Sequence, residues 1–234
     1  MSSVMDDDIR LPGSSVRSVY VYEWPVRIWH LLDAIGIIVL AATGYYIGNP
    51  LLPAAPGEAS AHFVMGYVRF AHFAAGYLVA ILFLGRIYWA IMGNHYARHL
   101  MFPPLFDVRL WAGAWHQLKY YLFVVDKQQS RVGANPLDQI STFLMFTLPM
   151  IFLILTGFAL YAEGTGQGSW QALAFGWIRY LFNGSQALHT WHHVAMWALV
   201  CYVIIHFYLV FRQEIMTNQS YLSTMISGYR SFKD

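Results

Sequence analysis

The stretch Leu188 to Arg212, LHTWHHVAMWALVCYVIIHFYLVFR, constrains the fold more than any other part of the chain. Between Val194 and Val210 its polar side chains, tyrosine hydroxyls apart, are His206 and the soft Cys201, so it is long and apolar enough to span a membrane as a helix. His192 and His206 are fourteen residues apart. On an α-helix that spacing is about 21 Å of rise and about 40° short of four full turns. Both imidazoles therefore face one way, one near each membrane surface. A histidine inside a membrane usually faces the interior of a bundle, where it relays protons, forms a hydrogen bond or ligates a metal. Matching histidines elsewhere are needed to decide among these.

The composition fits such a span. Of 234 residues, 58% are hydrophobic and 11% charged, more apolar surface than a soluble core of this size can hide. A net charge of +2 with no basic run excludes a nucleic-acid binder. Cys201 is the one cysteine and reads as a small core residue. A lone cysteine rules out an intrachain disulfide, a CxxCH haem attachment and an iron-sulfur ligand set. The acidic start MSSVMDDDIR has no apolar stretch with a cleavage site behind it, so the spans themselves are expected to drive insertion.

Four spans are expected, at about 28–48, 67–92, 136–161 and 188–212, in a single transmembrane domain 1–234 with a flexible N-terminus 1–19. The fold class is an all-α integral membrane protein, a four-helix up-down bundle that binds haem. Pro136 sits where a helix can start, and Pro149 is expected to kink the centre of the third span. Within the second connection, Arg109 to Val125 alternates aromatic and polar residues and reads as a helix lying along the interface. Lys and Arg concentrate in the N-terminal segment, the second connection and the tail, whereas the first and third connections add only Arg69 and Arg179. Both termini are therefore expected to be cytoplasmic.

This topology pairs the histidines by depth. His72 and His192 fall near the outer face, and His30 and His206 near the inner face. Four histidines from three helices in two level pairs favour two bis-histidine haem sites over a proton relay. Such sites have no open coordination position, so they pass electrons and do not activate substrates. The irons would lie roughly 20 Å apart. Fourteen residues beyond His30 comes Gly44, and Gly76 stands one turn past His72; both would leave room for the outer macrocycle. Fourteen beyond His72 comes Arg86, placed to meet an inner propionate or a quinone, or else to snorkel to the cytoplasmic surface. His189 is the rival of His192 for the outer iron, and His193 is expected to point elsewhere. His62, His95, His99 and His116 lie in connections and read as solvated or interfacial.

These residues resemble the cytochrome b subunit of membrane-bound nickel-iron uptake hydrogenases, a dihaem type shared more distantly with the formate dehydrogenase gamma subunit. The resemblance rests on Arg27-Ile28-Trp29-His30 with Ala42-Thr43-Gly44, and on His189-Thr190-Trp191-His192-His193 with Trp197 and His206. MGYVRFAHF (65–73), GRIYWAIMGN (85–94), ANPL (134–137), LTGFALY (155–161) and STMISGYR (223–230) support it, while Leu31 stands where the family usually has tryptophan.

The resemblance implies a chain in the bacterial inner membrane that carries haem b at two sites, the inner one open to loss on purification. On the outer face a large nickel-iron subunit and a small iron-sulfur subunit with a C-terminal membrane helix would dock, and electrons would leave to a membrane quinone. Asn135, with Gln139 beside it, resembles the quinone-site asparagine of the formate dehydrogenase subunit; as an alternative, Asn135 caps the helix that Pro136 opens. The aromatic third connection would be the docking surface, or an ordinary interfacial belt. Two further readings stand beside this one: the cytochrome subunit of another periplasmic dehydrogenase, and a haem-free anchor whose histidines relay protons.

Overall fold

A computed structural model describes residues 8–10, 16–50, 63–126, 132–217 and 219–233. His62, most of the first connection, Lys127 and Arg131 lie outside the described residues. Four helices are long and apolar enough to cross a membrane: α1 (Trp24–Gly48), α2 (Val64–Met92), the continuous helical stretch Pro136–Thr165, and α9 (Ser185–Met216). Each extends a few residues beyond the expected bounds. Ile38, Leu84 and Ile204 are 67%, 66% and 64% exposed. In water each would forgo about 1.5–3 kcal/mol of burial, so these surfaces belong in lipid. Cys201, expected in the core, is exposed on α9 as well.

The chain forms two compact units. The first gathers the residues up to Trp29, Arg86–Thr147 and those from Cys201 onward. Its shorter helices are α3 (His95–Met101), α4 (Val108–Tyr121), α5 (Pro136–Thr142) and α10 (Leu222–Ser227). Side chains start three of them: Asn94 accepts from Ala97 N–H, Asp107 from Arg109 N–H, and Asn135 from Asp138 N–H with Pro136 in the first turn. Strands β1 (Asp8–Arg10), β2 (Val16–Tyr20) and β3 (Tyr229–Lys233) pair antiparallel in the order β1-β2-β3, with Ser18 opposite Ser231. Within the N-terminal stretch 1–19, expected as flexible, residues 8–10 pair with β2, and β2 pairs with a strand from the other end of the chain, which local composition does not reveal. Val21, Tyr22, Val26 and Ala97 form a core cluster. Beside it Glu23 accepts Trp89 Nε1–H at 2.9 Å and Asn94 N–H at 3.0 Å. On the far side of this unit α4 and α5 pack through Leu110, Ala114 and Ile140.

Between α5 and α6 (Leu148–Thr165) the helix widens into a π turn, Phe143–Thr147. Pro149 explains its place, because proline offers no N–H to the carbonyl four residues back and its ring crowds that carbonyl.

The second unit comprises His30–Gly85 and Leu148–Val200. A Cβ on Gly36 would come within 2.5 Å of Val79 Cγ2, so α1 and α2 meet here backbone to side chain. Tyr77 packs edge-on against Phe158 at 5.0 Å, and Phe73 against Tyr161 at 4.8 Å, joining α2 to α6. The third connection contributes α7 (Trp170–Phe175) and α8 (Ile178–Leu181), which fold back so that Phe175 stacks on Phe158 at 5.0 Å. Ala159, Ile178 and Leu188 form the cluster beneath them. Asn183 and Gly184, both at positive φ, then turn the chain into α9.

Candidate functional site

The second unit encloses a cavity of 470 Å³ whose lining draws on α1, α2, α6 and α9. Its size is within the ~300–1,000 Å³ common for cofactor pockets. Most of the wall is aliphatic or aromatic, and its polar groups are few: Arg69, the hydroxyls of Tyr77 and Tyr161, and the imidazoles of His72, His189, His192 and His193. His72 and His192, expected as the outer pair, thus face one chamber. Nδ1 of His72 lies 2.9 Å from Thr43 Oγ1, and Nδ1 of His192 lies 2.7 Å from Thr156 Oγ1. Gly44 and Gly76 both line the same chamber. A Cβ on Gly44 would stand 3.1 Å from His72 Cε1 and 3.5 Å from Met196 Sδ, so the missing side chain is the space the imidazole uses. Gly157 lines the chamber from α6, where a Cβ would stand 3.4 Å from His192 Cε1, an ordinary contact.

His189 also reaches the cavity, but it is exposed and its Nδ1 donates 2.9 Å to the Ser185 carbonyl of its own helix. His193 departs from expectation. Rather than pointing elsewhere it lines the cavity, in the space that a side chain on Gly48 would take. Tyr77 is tied to the third connection by Gln171 Nε2–H, 3.1 Å from its hydroxyl.

The inner pair is placed differently. His30 belongs to the second unit and His206 to the first. Within the first unit the His206 ring stacks on Tyr202 at 5.7 Å and 23°, and the Tyr202 hydroxyl pairs with Thr142 Oγ1 at 2.9 Å. Arg86 does not snorkel: it is 2% exposed, its guanidinium lies 5.4 Å over the Trp29 ring, and Nη2–H donates 2.7 Å to the Ala97 carbonyl. Its Nη1 is buried without a hydrogen-bond partner.

Asn135 is committed locally. Its Oδ1 accepts Asp138 N–H at 2.8 Å while Nδ2–H donates to Asp138 Oδ2 at 2.6 Å and to the Tyr121 hydroxyl at 3.4 Å. That is the full capacity of an amide side chain save one lone pair. Gln139 is different. Its Nε2–H donates to the Ala134 carbonyl, its Oε1 is buried without a partner, and the residue lines a 160 Å³ pocket with His95, Tyr96 and His99. In that pocket partial burial, followed by the neighbouring His99, holds the His95 imidazole below its usual range.

Membrane-spanning helices around a chamber with paired imidazoles define a class, the haem-binding helical membrane bundles. The chain belongs to the prokaryotic cytochrome b561 family, whose sequence pattern matches residues 21–228. It is 52% identical over 217 residues to a probable Ni/Fe-hydrogenase B-type cytochrome subunit of Azotobacter chroococcum mcd 1, covering 93% of this chain and 90% of that protein. The subunit of the same description from Cupriavidus necator is 50% identical over 230 residues, covering 98% and 93%. A probable Ni/Fe-hydrogenase 1 B-type cytochrome subunit of Escherichia coli K12 is 41% identical over 228 residues, 94% of each chain. Membership of this family implies haem b and electron transfer in a membrane. The residues around the chamber fit that group: two imidazoles have their Nδ1 atoms engaged elsewhere, glycine opens the wall, and the lining is otherwise apolar.

Thr43 and Thr156, the partners of the imidazoles, are not singled out by any histidine spacing; their one signal in the sequence is a repeated Thr-Gly pair, Thr43-Gly44 and Thr156-Gly157. Nor does any such spacing single out Arg69, a cationic side chain on the cavity lining.

Proposed function

We propose that this chain anchors a respiratory uptake hydrogenase to the inner membrane and passes its electrons to the quinone pool. The observation that carries the proposal is the meeting of His72 and His192, from separate helices, in one apolar chamber. Haem b held by two imidazoles supplies a one-electron couple with no open coordination position. His72 and His192 would hold the outer group, Gly44 and Gly76 giving it room, and His30 with His206 the inner one. Arg86, with Nη1 unpaired in the first unit, would meet an inner propionate. The chain contributes orientation and a mostly apolar wall, to which Tyr77, Phe158 and Tyr161 lend their rings.

Electrons would arrive from the iron-sulfur subunit, whose C-terminal helix and nickel-iron partner dock at the third connection, where Trp170, Trp177 and Tyr180 are exposed. Both termini would be cytoplasmic, as the distribution of Lys and Arg requires. The quinone head group would then sit at the cytoplasmic pocket of Gln139, His95 and His99, whose unpaired Gln139 Oε1 is an acceptor for a quinol hydroxyl. Asn135, with both amide protons and one lone pair engaged in the cap, would shape this region beside Gln139.

Dithionite-reduced spectra of the purified complex test the reading. The wild type should show a low-spin b-type α band, His72→Ala should lose the outer component, and His206→Ala should lose the inner component alone. A wild-type complex without the α band would refute it.

A further inference from the structure

Two threonines are built into the chamber in the same way. Thr43 on α1 sends its hydroxyl proton to the Val39 carbonyl at 2.6 Å, and Thr156 on α6 sends its proton to the Phe152 carbonyl at 2.7 Å. A threonine hydroxyl has one proton to give and two lone pairs. With that proton spent on the helix backbone, each Oγ1 can only accept from the imidazole beside it. The donor in each pair is therefore the Nδ1–H of His72, at 2.9 Å, and of His192, at 2.7 Å. A neutral imidazole protonated at Nδ1 keeps its lone pair on Nε2. Each ring is thus held in the one tautomer that can ligate iron through Nε2, and each is held by a helix other than its own. His189 contrasts with this, since its Nδ1 is bound to its own backbone.

Resting on the assignment of His72 and His192 as the outer ligands, we infer that Thr43 and Thr156 are positioning residues that fix the tautomer and rotation of both imidazoles and lower the potential of the outer haem. A hydroxyl that has donated its proton is a stronger acceptor than a free one, because successive hydrogen bonds polarise each other. Drawing the Nδ1 proton toward oxygen makes the imidazole a more basic ligand. A more basic ligand favours ferric over ferrous iron, which is a lower potential. At the first pair Gly44 helps, since a Cβ there would stand 3.1 Å from the His72 ring.

The test uses the complex purified with its hydrogenase subunits and carrying Thr43→Val, Thr156→Val or the corresponding serine. Valine keeps the shape of threonine and removes the acceptor; serine keeps the acceptor. Each valine variant should retain haem and favour the ferrous state up to tenfold more, a rise of about 59 mV for one electron, with altered g-values in the electron paramagnetic resonance spectrum of the ferric haem. Each serine variant should return to the wild-type potential. Loss of haem from a valine variant that serine restores supports the inference equally. Unchanged potential and spectrum in both valine variants, or haem loss that serine does not restore, would overturn it. A His72→Ala variant that keeps its full haem content instead overturns the ligand assignment on which it rests, and the inference with it.

Discussion

Gly44 and His72 share one volume: a Cβ on the glycine would stand 3.1 Å from the Cε1 of the imidazole. Gly44→Ala should push the ring off its hydrogen bond to Thr43 and weaken the outer haem site about tenfold, the low end of what loss of an imidazole's supporting shell costs. Gly44→Leu should empty the site. Haem content per chain, measured as the pyridine haemochrome, checks both.

Arg86 puts a buried positive charge beside Trp29 with one guanidinium nitrogen unpaired. If that nitrogen meets a propionate, Arg86→Gln removes a charge that favours the reduced state. The inner haem should shift toward ferric by roughly tenfold, about 59 mV downward, opposite in sign to the valine variants. Potentiometric titration resolves the two components.

Gln139 and Asn135 should separate in function. Gln139→Leu is expected to raise the KM for quinone several-fold at nearly unchanged stability. Asn135→Ala should cost about 1 kcal/mol or more through loss of the helix cap, leaving the quinone KM near that of the wild type. Hydrogen-driven quinone reduction and thermal unfolding in detergent report the two effects.

Glu23 accepts two hydrogen bonds, from Trp89 and from the backbone of Asn94. Glu23→Ala should destabilise the first unit by about 2 kcal/mol, since bonds to a charged acceptor contribute ~1.5–3 kcal/mol. Spectra of the chamber around His72 and His192 should be little changed. A shift in unfolding midpoint with an intact α band is the expected result.

Burial, reinforced by the Asp138 carboxylate, pushes the Tyr121 hydroxyl up to about 12. Its ordinary value is about 10. Between these two values the unfolded chain has released the proton and the folded chain keeps it, so the stability present below pH 10 is lost as pH rises through the window. The slope is at most about 1.4 kcal/mol per pH unit. Tyr121→Phe should remove that component of the alkaline loss, as measured by unfolding at pH 9 and pH 11.

Much of this molecule is legible in its sequence, for physical reasons that differ by element. The spans are legible because lipid demands long apolar runs, and α9 announces itself over thirty residues. That His72 and His192 line one chamber accords with their being level with each other, an expectation that rests on helix rise. What sits between helices is harder to read. The threonine contacts at 29 and 36 residues' separation depend on how α1 faces α2 and how α6 faces α9, and no periodicity within one helix encodes that. His193 was misjudged for the same reason: its direction on α9 was right to differ from that of His192, yet the chamber wraps far enough round to include it. The strand pairing of residues 16–20 with 229–233 escapes notice because its partner lies at the other end of the chain.

The π turn at Phe143–Thr147 and Pro149 belong together. Were the segment closed to an ordinary α-helical turn, the pyrrolidine ring would press on the Met145 carbonyl and leave it without an N–H to accept from. The wide turn spreads that mismatch over five residues, so deleting one of them should strain the helix at the proline, and replacing Pro149 with alanine in the same chain should relieve it.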